Sequence, residues 1–391
     1  MTQNISFMNV ANLGQVFTPP SVVKAMLALR QNVGRVLEPS CGDGAFSNEI
    51  EDCVALELDA DHAPYYARNL DFFEFPLSER FDSIIGNPPY VRHQDILPST
   101  KALLPKGEGL FDGRSNLYLY FIEKCIQHLN DHGELIFIVP RDFIKATSAA
   151  RLNQFIFDTG TITHFIEMGD QRIWEGATPN TVIFRFQKGL FNREMPDGRR
   201  FTLQRGQLSF VREAIGGTLG DFFSVKVGAV SGADKLFEHP EGNREFVCSK
   251  SVDTGETRRM IYNQQSALLL PYKTQLLSRG IRQFNETTWW QWGRGYFESD
   301  LPRVYVNAKT RRAQPFFQHP ATAYDGSILA LFPRQPGMDL TAAVAVLNEL
   351  PWAELGFVCD GRFLFSQRSL EGAALPVSAV EELKKIEQLA N

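Results

Sequence analysis

Short apolar runs alternate with stretches of helical periodicity through the first half of the chain, the pattern of a mostly parallel, doubly wound α/β sheet with crossover helices. Strands are predicted over residues 35–37, 54–58, 81–85, 134–139, 164–167 and 181–186, and helices over about 21–29, 46–50, 60–67, 116–129 and 146–157. Helical spacing is clearest where Leu117, Tyr120, Phe121, Cys125 and Leu129 fall on one face, and the polar turn 130–133 ends that run. Around Lys188 to Arg200 the pattern lapses into charge, Gly and Pro, which marks a domain boundary and predicts domains over 1–190 and 201–391. Beyond it the elements are shorter, with Trp289, Trp290 and Trp292 among Pro-rich turns, and the region reads as mixed α+β.

Composition adds limits. A chain of 391 residues with 43% hydrophobic and 22% charged residues buries a sizeable core and is long enough for two domains. No apolar run reaches bilayer length and the start lacks a secretory pattern, so no membrane association and a cytoplasmic location are expected. Cys41, Cys53, Cys125, Cys248 and Cys359 are odd in number and widely spaced, against a disulfide framework or a zinc site, and no metal is expected. The net charge of -5 does not advertise a polyanion-binding protein. Between Arg258 and Arg312, however, ten basic residues face three acidic ones, a local excess of seven that reads either as a solvated face or as a phosphate-binding surface.

Chemistry begins at Val36-Leu37-Glu38-Pro39-Ser40-Cys41-Gly42-Asp43-Gly44, an apolar strand running into a glycine-bearing turn. In a doubly wound fold a nucleotide-like ligand meets the carboxyl edge of the sheet at this point, where glycines let the backbone approach it. Glu57 follows 19 residues after Glu38, at the end of the next strand, where a carboxylate accepts bonds from both hydroxyls of a ribose. At the third such position, Asp71 can accept from an adenine amino group and Phe72 can cover the ring.

The strand Ile84-Ile85 ends in Asn87-Pro88-Pro89-Tyr90. An adenine amino group is a poor nucleophile because its lone pair is delocalised into the ring. Two acceptors, the Asn87 side-chain oxygen and the Pro88 carbonyl, can grip both amino hydrogens and draw the nitrogen toward a tetrahedral geometry without a strong base. The prolines restrict the backbone that aims this carbonyl. Tyr90 offers a ring for the base to stack on, and a base gripped in this way must leave its duplex.

In this order, Gly14-Gln15-Val16-Phe17-Thr18-Pro19, the Glu38 turn, Glu57, Asp71-Phe72 and Asn87-Pro88-Pro89-Tyr90 resemble the gamma group of adenine-specific DNA methyltransferases of restriction–modification systems, above all the Taq-type enzymes. The resemblance implies a Rossmann-like S-adenosylmethionine-dependent methyltransferase domain followed by a mixed α+β target-recognition domain. Thr18 and the backbone near Ser40, Cys41 and Gly42 would hold the methionine end of the cofactor, with Glu38 and Pro39 in the same cofactor-binding turn. Glu57 would hold its ribose, and Asp71 and Phe72 its adenine. A second aromatic lies against the flipped base in this family, and Trp174 matches it best, although the loop preceding the strand 181–186 is longer than the family's. Weaker likeness over 277–282, 306–311 and 362–377 places Arg279, Arg282, Lys309, Arg311 and Arg312 toward DNA, mostly on phosphates. The expected partner is double-stranded DNA, bound by a monomer; the sequence leaves open a separate restriction endonuclease.

Enzymes that methylate a glutamine amide of release factors share Asn-Pro-Pro-Tyr, but they are shorter and lack a long basic second domain. RNA methylation shares the amino-group chemistry. A catalytically silent DNA-binding scaffold is a further reading, against which the intact Asn87 to Tyr90 speaks. The loop 91–115, with Lys101, Lys106 and Arg114, has the length of a lid.

Overall fold

The computed structural model describes residues 18–105, 109–111, 113, 115–168, 180–359 and 361–388. The chain divides into two compact units, Met1–Glu213 and Ala214–Asn391. In the first, strands β1 (Val36–Glu38), β2 (Cys53–Glu57), β3 (Arg68–Asn69), β4 (Phe81–Gly86), β5 (Leu129–Pro140), β6 (Gly160–Glu167) and β7 (Thr181–Lys188) form one sheet in the order β3-β2-β1-β4-β5-β7-β6. β7 runs antiparallel to both its neighbours, and the other pairings are parallel. This is the Rossmann-like, mostly parallel sheet expected from the sequence. Because the chain winds outward from β1 to β3 and then returns to place β4 on the other side of β1, the strand order reverses between β1 and β4. Such a reversal opens a crevice beyond the carboxyl ends of the two strands.

Helices α1 (Pro20–Leu27), α2 (Pro98–Leu103), α3 (Leu117–His128) and α4 (Ala150–Thr159) accompany the sheet. α1 starts on a proline, whose missing N–H is unneeded there, and buries Val22, Val23 and Met26. α3 is capped by Asn116, which accepts from the Tyr118 N–H. β5 serves two apolar layers with a period of two: Leu135, Phe137 and Val139 join the cluster that holds α3 and α4, while Ile136 and Ile138 join the one that holds α1. At the opposite end of the sheet the buried Glu134 accepts from the Gln31 and Asn32 N–H groups (both 2.9 Å), Ser83 Oγ (2.8 Å) and Arg185 Nε (2.8 Å). This network ties the segment after α1 to β4, β5 and β7.

Three expectations are revised. Residues 46–50 and 60–67 form turns, not helices. In the first case Gly42 and Gly44 adopt φ of +54° and +88°, and the chain wraps around the Glu38 carboxylate; in the second, Pro64 withholds an N–H and restrains Ala63. Residues 188–200 lead into a hairpin, β8 (Arg200–Gln204) and β9 (Gln207–Val211), that remains with the first unit. The reason is aromatic packing: Phe210 stacks on Phe165 at 4.2 Å, and Phe201 meets Phe157 at 5.3 Å.

The second unit is mixed α+β. Its main sheet is antiparallel in the order Phe223–Val227, Ile328–Pro333, Val304–Asn307, Phe316–Phe317. Beside it Trp289 and Trp292 are core residues, with Trp292 stacked on Phe246 at 4.9 Å. Among the described residues, no helix is long and apolar enough to cross a membrane.

Candidate cofactor and substrate site

The crevice beyond β1 and β4 holds a cleft of about 950 Å3, part of it open to solvent. Thr18, Glu38, Pro39, Ser40, Cys41, Gly42, Glu57, Asp71, Phe72 and Asn87 all line it, so the cofactor residues expected from the sequence converge on one cavity. At its floor the Gly42 N–H donates to Glu57 Oε2 at 2.8 Å, and the Asp59 N–H donates to Oε1 at 2.9 Å. Both oxygens of Glu57 are therefore held in place by backbone donors.

The glycines of this turn have different tasks. A Cβ at Gly44 would come within 2.6 Å of the Tyr66 hydroxyl and 2.9 Å of Pro64 Cγ, so close packing excludes a side chain. At Gly42 a Cβ would meet no protein atom within 4 Å, and the left-handed φ selects glycine by conformation. Open space over a bare backbone turn, with an acidic side chain fixed at the next strand end, fits a nucleoside-bearing cofactor.

Glu38 supports the turn from beneath. Only 1% exposed, it accepts from the Phe46 N–H at 3.3 Å and the Ser47 N–H at 2.7 Å. Burial pushes its carboxyl up to about 8, against the pull of these donors. Glu38 lines the cleft, but its carboxylate organises the loop.

Asp71 marks the other end of the cleft. Its Oδ1 accepts from the Phe73 N–H at 2.9 Å and its Oδ2 from the Thr100 hydroxyl at 2.5 Å. Phe72 is almost fully buried, stacked on Phe121 at 4.9 Å. Lys124 of α3 donates to the Phe73 carbonyl at 2.8 Å and lies 5.1 Å from the Phe72 ring centre; burial lowers its ammonium to about 8.

At the end of β4 the Asn87 amide nitrogen donates to Thr18 Oγ1 at 3.3 Å, and Ser40 Oγ donates to the Asn87 carbonyl at 3.4 Å. Pro88 is buried, and Pro89 lines the cleft. The Tyr90 hydroxyl donates to the Ile138 carbonyl of β5 at 2.9 Å, and burial pushes it well above its ordinary range. The ring is half-buried and meets Tyr118 edge-on at 6.0 Å, so it is anchored at its polar tip while part of it remains accessible. Trp174 lies outside the described residues, as do residues 14–17, Lys106 and Arg114.

Sequence reasoning missed Ile96, Leu97 and Thr100, which line the cleft from the loop after Tyr90. That loop is packed at Ile96, Leu104 and Phe111, all buried in the α3 cluster. No motif marks these residues. Leu117 and Phe121 carry a legible signal, the helical stripe, but it reads only as core, whereas both also line the cleft.

The basic residues of the second unit divide by environment. Arg279, expected at DNA, is 8% exposed and donates to the carbonyls of Leu276, Ser231, Trp289 and Gln291, which makes it an internal brace. Arg303 is buried on the carbonyls of Leu301, Thr322 and Ser299, and Arg258 pairs with Asp325. Arg312 pairs with Asp253. Arg282, Lys309 and Arg311 are exposed; Arg282 donates to Gln291 Oε1 at 2.8 Å.

Residues 45–174 match the family model of the Eco57I restriction-modification methylase. The chain is 31% identical over 274 residues to the Type II methyltransferase M.TthHB8I of Thermus thermophilus, covering 60% of this chain and 63% of that protein. It is 33% identical over 190 residues to the Type II methyltransferase M.HincII of Haemophilus influenzae, covering 46% of this chain and 38% of that protein. The chain thus spans less than two thirds of the length of either relative. In fold it is similar, at a TM-score of 0.63 and 12% identity, to the Type IIL restriction-modification enzyme MmeI solved in complex with DNA, over 99% of this chain and 71% of that one. The first unit is therefore a relative of the Eco57I restriction-modification methylases and of Type II methyltransferases, and its cofactor is S-adenosylmethionine.

Proposed function

We propose that this protein is a site-specific DNA methyltransferase that transfers a methyl group to the exocyclic amino group of an adenine flipped out of duplex DNA. The observation that carries the reading is the meeting of Asn87 and Pro89 with Gly42, Glu57 and Asp71 around one cleft. Cofactor-type residues and an amino-gripping motif then serve a single reaction centre. S-adenosylmethionine supplies an activated methyl group when bound.

The chain's own residues supply position. Glu57 takes the ribose hydroxyls, Asp71 the cofactor's adenine amino group, and Thr18 with the turn Ser40 to Gly42 the methionine end. The Asn87 amide is tied through its nitrogen to Thr18, an arrangement that suits its oxygen to the target amino group. The Asn87 oxygen and the Pro88 carbonyl accept the two N–H groups, and Tyr90, anchored on Ile138, presents its ring to the base. Extrusion of a base costs a few kcal/mol and stacking returns part of that. In the second unit Arg282, Lys309 and Arg311 contact DNA, mostly at phosphates.

The reading is tested by tritiated methyl transfer from S-adenosylmethionine to unmethylated bacterial duplex DNA, with RNA and release-factor protein in parallel. Label in DNA alone is expected. Label in RNA or protein overturns the substrate, and label nowhere moves the silent scaffold to the front.

A further inference from the structure

Asp71 is held from two separate elements. Oδ1 takes the Phe73 N–H of its own turn, whereas Oδ2 takes the hydroxyl of Thr100, which lies on α2 in the loop after Tyr90. Thr100 is 5% exposed, and α2 is fixed at its flanks by the buried Ile96 and Leu104. A threonine in a helix is restricted to two χ1 rotamers, and the one adopted here turns its hydroxyl to Asp71. Ile96, Leu97, Leu117 and Phe121 give the cleft that Asp71 and Thr100 line an apolar share of its wall.

A carboxylate in an apolar wall is costly unless its acceptors are used. The two donors that Asp71 has within the protein fix the plane of its carboxyl group and leave lone pairs for another N–H. A site arranged in this way favours an amino group and disfavours a carbonyl at the same place, since a carbonyl would set acceptor against acceptor.

We propose that Thr100 is a positioning residue for cofactor selectivity: by orienting Asp71 it makes the cleft choose a 6-amino purine nucleoside over its 6-oxo counterpart. The proposal rests on the reading of this cleft as the S-adenosylmethionine site with Asp71 at the adenine.

The test is calorimetric binding of S-adenosylhomocysteine and S-inosylhomocysteine to the full chain and to Thr100→Val, Thr100→Ser and Asp71→Asn, with thermal midpoints recorded for each. The native protein prefers the adenosyl ligand. Thr100→Val, nearly isosteric but without the hydroxyl, reduces that preference roughly tenfold, as expected for a lost hydrogen bond to a charged group. Thr100→Ser keeps most of it, and in the Asp71→Asn background Thr100→Val changes the ratio little. An unchanged ratio in Thr100→Val, or equal weakening of both ligands, reduces Thr100 to a packing residue and overturns the proposal alone. A native protein that binds neither ligand overturns the cofactor reading and this proposal with it. If Thr100→Val does not fold, loss of preference in Thr100→Ser overturns the proposal and its retention supports it.

Discussion

The cleft of the first unit and the basic segment of the second present charge in opposite ways. In the cleft, Glu57 and Asp71 are both under 9% exposed, and each is fixed by donors from neighbouring turns. Their burial goes with a ligand-sized cavity that they line. In the segment from Arg258 to Arg312, burial has the contrary meaning, because Arg279 and Arg303 are sunk into carbonyl clusters and only brace loops. A buried charge thus signals a site where it borders open space and a staple where it ends on backbone. The exposed Arg282, Lys309 and Arg311 form the part of the segment that suits a phosphate contact.

The comparison breaks most sharply at Glu134, a buried charge with no cavity. Glu134→Ala strands Arg185 and two backbone N–H groups, and about 3–5 kcal/mol of stability is expected to go. A shift in the urea midpoint of the first unit measures it, with cofactor binding retained by the protein that remains folded. Asn87→Ala works the other way: turnover falls about 100- to 1000-fold, the range for a removed transition-state contact, with a nearly unchanged melting temperature. A steady-state assay with a cofactor titration separates the two effects.

Within the second unit, Arg279→Ala should lower thermal stability without altering the salt dependence of DNA binding. Arg311→Ala should leave stability alone and reduce the salt slope by about one. Fluorescence anisotropy across a salt series distinguishes them, and a reversed outcome would exchange brace and contact.

Glu38 tests the cleft side of the comparison through pH. Its folded-state carboxyl is raised to about 8 from an ordinary value of 4.5, so the folded protein holds the proton that the unfolded chain releases. Stability from this group is present below the unfolded value and is lost as pH rises through the folded one. The thermal midpoint should therefore drift down between about pH 5 and pH 9, and Glu38→Gln should flatten the drift. A drift of equal size in the variant would assign it to other groups.

What could be read from the sequence follows the same division. The run of Ile84 and Ile85 into Asn87 shows a buried strand and the end of it that lines the cleft together, because both depend on adjacent residues. Continuous apolar runs make β5 and β7 legible for the same reason. Residues 46–50 read as a helix but form turns, because their conformation is set by Glu38, eight and nine residues from the N–H groups it holds. Thr100 carries no local sign of its contact with Asp71, 29 positions away, and Arg279 looks like any surface arginine until Ser231, 48 positions away, meets it. Long-range partners decide such residues, and periodicity does not report them.

The central claim is that Asn87 and Tyr90 act on the amino group of adenine in DNA. The most direct measurement is mass spectrometry of nucleosides from duplex DNA incubated with the protein and S-adenosylmethionine, beside the same digest from Asn87→Ala. The account predicts adenine methylated on its amino nitrogen with the native protein and a rate of its formation about 100- to 1000-fold lower with the variant. Methylcytosine, or equal methyladenine from both proteins, would contradict it.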